Sequence, residues 1–361
     1  MDEDQRVLIL IYGAVSPVNI EFLEALEEMA KEQGIAREDL YRAIEAGLTA
    51  AYTEQFGEPK ALEVLIDKNS GDIQLLVQEG KQEKQRRQVR LRDFGRVATK
   101  IAEQTIRQEI LKIKRQIIYE KYRARIGELI NGSVHRFDGG NVWLNLGEAE
   151  ALLPDRERIP GERYRQGARL KAYLYDVEQT QGDPRILVSR TQPGFVERLL
   201  ELEVPELADG LLVVKAIARE AGRRTKVAVQ SLDEEIEPVG TSVGSGGSRI
   251  KAVIQEISGE KIDVVRWSDN IEELITHSLE PASVLSIELD EENKAAKVLV
   301  PDDELSLAIG KGGQNVRLTV KLTGYNIDVT SPVEELEAEA KAAHSGVESG
   351  SEAEPESESE S

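Results

Sequence analysis

Two stretches of this chain, Ser-Val-Gly-Ser-Gly-Gly-Ser-Arg-Ile-Lys (Ser242 to Lys251) and Ala-Ile-Gly-Lys-Gly-Gly-Gln-Asn-Val-Arg (Ala308 to Arg317), are one phrase stated twice. Gly244 pairs with Gly310, Gly247 with Gly313, Ile250 with Val316 and Ile254 with Val320, all at a spacing of 66. The match resumes one residue out of step at Ile262-Asp263-Val264 against Ile327-Asp328-Val329. Upstream, Lys226-Val227-Ala228-Val229 answers Lys297-Val298-Leu299-Val300, with five fewer residues before the glycines of the second copy. A period this long, carrying strand, Gly-x-x-Gly, helix and strand in fixed order, predicts a duplicated domain.

A Gly-x-x-Gly loop at a helix start has limited chemistry. Glycine lets the backbone approach a ligand with no Cβ in the way, and it permits positive φ. The amides opening the next helix lack intrahelical partners and sit at its positive end, so they favour an anion. No residue of the loop is a plausible acid, base or nucleophile. The natural ligand is a single-stranded nucleic-acid backbone, clamped as KH domains clamp it. The plainer alternative is that the glycines only make a tight turn between helices. Two copies flanked by Arg249, Lys251, Lys311 and Arg317 weigh against that alternative.

Three other motifs fail on inspection. The Walker pattern needs Gly-Lys-Ser/Thr, and Gly310-Lys311 is followed by Gly312. A dinucleotide fingerprint needs a third glycine where Arg249 and Asn315 stand. Gly240-Thr241-Ser242-Val243-Gly244 matches the nucleophile elbow of hydrolases, but the repeat replaces Ser242 with Ala308. A catalytic serine is therefore no part of what the copies share. The lack of cysteine excludes disulfides, thiolate metal sites and cysteine nucleophiles, and fits a reducing cytosol. The longest apolar run, Val7 to Tyr12, is too short to span a bilayer and follows Asp2-Glu3-Asp4, so neither membrane span nor export signal is expected.

The net charge of −21 is segregated rather than uniform. Met1 to Gly80 carries six basic and seventeen acidic residues, Lys81 to Arg125 fifteen basic and five acidic, and Glu334 to Ser361 one lysine and ten glutamates. Such a distribution suits several partners of different sign, and no segment is basic enough to coat duplex DNA.

At 361 residues the chain has room for several domains. Helical spacing joins Ile20, Leu23, Leu26 and Met29, with Gly34 as a stop; a second helix, Arg37 to Phe56, sets Leu40, Ile44, Leu48 and Tyr52 on one face. Leu62 to Ile66 and Ile73 to Val77 flank Asp67-Lys68-Asn69-Ser70-Gly71-Asp72 as a hairpin. Gly95 to Gly127 holds one long helix with Val97, Ile101, Ile106, Ile110, Ile113 and Ile117 near a 3.6-residue period and a basic opposite face, most simply a solvated one. Gly127 to Arg190 turns to about five short strands, which predicts a small barrel of OB type. Phe137, Trp143, Tyr164, Tyr173 and Tyr175 fall there, to stack bases or to fill the core. Glutamate and serine dominate Glu348 to Ser361, which predicts disorder.

Taken together, the chain resembles the bacterial transcription termination/antitermination family NusA over about Ile20 to Pro332. The most specific phrases are Ala308 to Leu318, Gly259 to Val265 and Ala218 to Val229, supported by Phe94-Gly95-Arg96-Val97-Ala98 and Glu203-Val204-Pro205-Glu206. The resemblance implies a multidomain α+β protein. Residues 1–18 have no counterpart in the family and are read as an extension; residues 19–126 are by the resemblance an α/β head that docks on RNA polymerase. Residues 127–200 are an OB-type β-barrel, 201–280 and 281–332 tandem KH domains of prokaryotic type, and 333–361 a disordered acidic tail. It further implies a cytoplasmic, non-enzymatic monomer without cofactor, whose partners are RNA polymerase, single-stranded nascent RNA and other Nus factors. A nuclease with the same modules would need a carboxylate cluster for metal, and the first 125 residues show none in their strand pattern. Candidate RNA-binding residues are Gly244, Ser245, Gly246, Gly247, Arg249 and Lys251 in the first copy. In the second they are Gly310, Lys311, Gly312, Gly313, Gln314, Asn315 and Arg317. The first loop lacks the basic residue usual at its middle, which predicts a weaker phosphate grip there.

Overall fold

The computed structural model describes residues 28, 31, 34–59, 61–66, 73–78, 86–89 and 95–336. The 1–18 extension, most of the helix expected from Ile20, the turn from Asp67 to Asp72 and nearly all of the 333–361 tail lie outside these residues. The chain divides into two compact units, residues 1–126 with 177–186, and residues 127–176 with 187–361.

In the first unit, helix α1 (Arg37–Phe56) opens with Glu38 and Asp39, whose charges suit the positive end of the helix dipole. Leu40, Ala43, Ile44, Leu48, Ala51 and Tyr52 recur every three or four residues and are buried. Strands β1 (Ala61–Ile66), β2 (Ile73–Gln78) and β3 (Arg86–Val89) follow as an antiparallel sheet in the order β1-β2-β3, with Leu75 and Val77 turned into the core. Helix α2 (Arg96–Arg123) lies against α1. Its buried seam is Ala98, Ala102, Ile106 and Ile110, whereas Val97, expected inside, is 65% exposed. Ala98 and Ala102 pack with Ala51 of α1, and Gly47 of α1 faces Ile106 and the Ala102 carbonyl, so this seam and not Val97 meets α1.

The second unit opens with β4 (Leu129–Asp138), β5 (Asn141–Asn145), β6 (Glu150–Leu153), β7 (Arg169–Glu178) and β8 (Arg185–Ser189), closed into a barrel in the order β4-β5-β6-β8-β7. Ile130, Val134, Val142, Leu144, Leu153, Ala172 and Leu174 alternate into its interior. Of the five barrel aromatics, Trp143, Tyr164, Tyr173 and Tyr175 are half-buried and Phe137 is exposed.

The duplicated phrase then appears as two ββααβ repeats, the first preceded by two helices and the second by one. The first runs α3 (Pro193–Glu203), α4 (Pro205–Ala208), β9 (Leu212–Glu220), β10 (Arg224–Ser231), α5 (Pro238–Val243), α6 (Ser248–Glu256) and β11 (Lys261–Arg266). The second runs α7 (Ile271–Leu279), β12 (Ser286–Asp290), β13 (Ala295–Leu299), α8 (Leu305–Ile309), α9 (Gln314–Thr323) and β14 (Asn326–Thr330). In both sheets the middle strand is antiparallel to the strand before it and parallel to the last. Even the register is duplicated, since Lys226 lies opposite Asp263 and Lys297 opposite Asp328. Phe195, Leu199, Leu200, Val227, Val229, Ile250 and Val253 fill the first core. Helix α7, which falls in the 201–280 segment, packs Ile275 and Leu279 into the second core with Ala296 and Val298. A third cluster joins the repeats, with Ala218, Ala228 and Val265 against Leu274, Leu318 and Leu322. No helix among the described residues is long and apolar enough to cross a membrane.

Candidate nucleic-acid interface

The two glycine loops have the same backbone. Gly244 and Gly310 have φ/ψ of 75°/169° and 72°/172°, in a region essentially reserved for glycine. A Cβ at Gly244 would lie 2.8 Å from Arg249 Cγ, and one at Gly310 would lie 2.8 Å from Asn315 Cβ. These first glycines are therefore what lets each helix turn back on its predecessor. The middle glycines, Gly246 at 60°/20° and Gly312 at 60°/32°, meet nothing within 4 Å and face open space. Helices α6 and α9 each begin after a left-handed glycine, Gly247 or Gly313, with no side chain capping the first turn. No side chain caps these helix starts, although the Ser248 and Gln314 amides already donate to the Ser245 and Lys311 carbonyls; a positive helix end beside a loop open to solvent is electrostatically suited to an anion.

The flanking side chains sort into three kinds. Lys251 Nζ donates to the Gly246 carbonyl at 2.8 Å, and Arg317 Nη1 donates to the Gly312 carbonyl at 2.8 Å. Each braces its loop from the same repeat position. Arg249 is already committed: Nη1 donates to Glu206 Oε2 at 2.9 Å and to the Thr241 carbonyl at 2.7 Å. Asn315, buried at the equivalent position, donates Nδ2 to the Ala308 carbonyl at 2.9 Å, while its Oδ1 is buried without a partner. Gln314 Nε2 donates to Glu220 Oε2 at 2.9 Å, and Arg317 Nε donates to Glu220 Oε1 at 3.1 Å. Ser245 and Lys311 sit exposed at the loop middles, and Lys311 has no hydrogen bond or ion pair among the described residues. Glu206 and Glu220 escape sequence reasoning because their partners are 43 and up to 97 residues away. Ser242, of the elbow-like phrase, is buried and donates its hydroxyl to the Pro238 carbonyl at 2.8 Å, as a helix residue does.

Ionic joints within the second unit fix the loops relative to one another and to the barrel. The Arg190 guanidinium, 1% exposed, takes Glu162 bidentately at 2.9 and 2.6 Å and reaches Glu256 of α6 at its Oε1, 3.2 Å, and its carbonyl, 2.7 Å. Tyr164 donates to the same Glu162 at 2.6 Å; burial and this carboxylate push its phenol well above the usual range. Between the repeats, buried Lys226 donates to the Ser278 carbonyl at 2.7 Å, and burial pushes its ammonium down. On the barrel, Arg136 stacks over Trp143 at 4.2 Å and Phe137 is 51% exposed, which offers a surface for a base to stack on. His135 Nδ1 lies 2.5 Å from Glu150 Oε1; that bond, with Arg136, holds the Glu150 carboxyl below the usual range against the opposing effect of burial.

Three family models match this chain: a NusA N-terminal domain at residues 21–80, a NusA-like first KH domain at 190–267 and a NusA-like second KH domain at 271–337. A transcription termination/antitermination protein NusA from Halalkalibacterium halodurans is 39% identical over 345 residues, covering 89% of this chain and 90% of the relative. The protein of that name from Bacillus subtilis is 39% identical over 88% of this chain and 92% of its own length. That from Thermus thermophilus is 38% identical over 86% and 89%.

Proposed function

Since this chain belongs to the NusA family of transcription termination/antitermination proteins, we propose that its two glycine loops clamp the phosphate backbone of single-stranded nascent RNA while the head, residues 19–126, docks on RNA polymerase. The protein is a non-enzymatic transcription factor whose tandem KH domains bind RNA. The observation that carries the clamp is the pair of middle glycines, duplicated in backbone angle and open to a ligand. One loop alone fits a turn as well as a clamp; both, with no side chain capping the helix start, read as a repeated anion site.

The barrel at 127–200 is of OB type in this reading, supported by its five strands in the order first-second-third-fifth-fourth. Arg136, Trp143 and Phe137 give it a surface on which RNA bases stack. The segments 201–280 and 281–332 are the two KH domains in this reading, and α7, though it falls within the first segment, packs into the core of the second. The protein works in the cytoplasm as a monomer, with other Nus factors among its partners. Modulation of pausing, termination and antitermination then follows from holding RNA and polymerase together.

The test uses the full chain. It should retain bacterial core RNA polymerase on a column, and titration with labelled single-stranded RNA should saturate with the RNA intact in the presence of Mg²⁺. Failure to retain polymerase would remove the docking role, and cleavage of the RNA would replace it with a nuclease.

A further inference from the structure

The acid that holds the second loop comes from the first repeat. Glu220 ends β9, its side chain is 15% exposed, and each of its carboxylate oxygens accepts from the opening turn of α9, Oε2 from Gln314 and Oε1 from Arg317. These are the polar side chains that a phosphate at the second loop would meet beside the uncapped amides. Arg317 at the same time holds the Gly312 carbonyl, so the carboxylate sits one side chain from the middle of the loop. A carboxylate at the positive end of a helix is held there by the forces that would hold a phosphate. Burial pushes the Glu220 carboxyl up, but hydrogen bonds from Gln314 and Arg317 outweigh it and leave the group below the usual range, hence ionised near neutrality. At the first loop the carboxylate is Glu206 of the same repeat, held by Arg249 and not by the residue equivalent to Arg317. That residue, Lys251, donates to Gly246 and has no carboxylate partner among the described residues.

We propose that Glu220 is a tethered competitor for RNA phosphate at the second glycine loop and sets that loop's affinity. The proposal rests on the reading of the loops as phosphate clamps. Its charge cancels that of Arg317 and leaves Lys311 as the uncompensated cation of the loop. A phosphate arriving at Gly312 and Gly313 displaces Arg317 from Glu220 or binds against the carboxylate's repulsion, and either course lowers affinity. The first repeat thereby regulates the second through one side chain.

The test is Glu220→Gln in the full chain, titrated with a labelled single-stranded RNA at low and high salt, with a thermal melt to verify the fold. Tightening of about threefold at low salt is expected, shrinking at high salt as charges are screened. In an Arg317→Met background the gain should shrink, because Arg317 is no longer there to be released and only the carboxylate's repulsion of the phosphate is removed. Arg317→Lys gives a second arm: it keeps the positive charge but removes the Nε donor, and should bind RNA at least as tightly as the wild type. Unchanged or weaker binding by folded Glu220→Gln, or weaker binding by Arg317→Lys, overturns the proposal and shows that Glu220 only braces the loop. Those results leave the clamp intact if Gly312→Asp still weakens binding. If folded Gly312→Asp binds RNA like the wild type, the clamp and the proposal fall together.

Discussion

The two glycine loops share a backbone and differ in almost every side chain around it. Both place three glycines at positive φ, with ψ of the middle residue at 20° in one and 32° in the other. Around this frame the first loop has Ser245 at its middle, an arginine locked to Glu206 and a lysine without a carboxylate partner among the described residues. The second has an unengaged Lys311 at its middle and an arginine tied to Glu220 of the other repeat. The two repeats share the backbone of the loop and differ in the cations beside it. On the proposed clamp, geometry sets what the loops can bind and side-chain charge sets how tightly each one binds it.

The largest expected difference concerns the first glycines. Gly310→Ala places a Cβ 3.1 Å from the Asn315 backbone nitrogen, which cannot move without shifting α9. The atoms facing Gly244 belong to the Arg249 side chain, which can give way. Denaturant melts should show a loss of about 3 kcal/mol for Gly310→Ala and about 2 kcal/mol for Gly244→Ala. Equal losses would mean that backbone strain alone matters.

Next come the middle glycines, where a Cβ meets open space and Asp tolerates the left-handed conformation, so the fold should survive. Gly312→Asp should weaken RNA binding about tenfold, roughly 1.4 kcal/mol, and Gly246→Asp about threefold. The reverse ranking in RNA titrations would show that the first loop carries the grip.

Exchanging the middle cation is a smaller, reciprocal change. Lys311→Ala should make the slope of log affinity against log salt shallower by about 0.7, and Ser245→Lys should steepen it by about 0.7. If neither slope changes, the loop middles do not touch phosphate.

The smallest expected effect separates the helices before the loops. Glu237 caps α5 by accepting from the Val239 and Gly240 amides, whereas no side chain caps α8. Burial pushes the Glu237 carboxyl up, yet those amides and Arg266 bring it net below 4.5. A depressed carboxyl stabilises the fold above its unfolded value and loses that contribution as pH falls through its folded one. Amides of α5 should accordingly lose hydrogen-exchange protection below about pH 4.5 before those of α8 do.

Much of this architecture is written locally and is therefore legible in sequence. Helix α1 follows from the spacing of Leu40, Ile44, Leu48 and Tyr52, and the five barrel strands from their turn residues. The glycine loops follow from their own repetition. What escapes depends on partners far along the chain. Val97 reads as a core residue by apolar period, yet Ala98 and Ala102 are the residues that pack with Ala51 of α1. Arg249, Gln314 and Arg317 read as cations or donors facing a ligand, and only the fold brings Glu206 and Glu220 to them. Sequence periodicity ranks residues by hydrophobicity and charge, whereas packing ranks them by size and neighbour.

The most direct test of the clamp is RNA titration of the full chain carrying both Gly246→Asp and Gly312→Asp. Additive effects at separated sites predict at least about thirtyfold weaker binding, with a melting temperature close to that of the wild type. Wild-type RNA affinity in the folded double variant would contradict the account, because the loops could then not be where RNA is held.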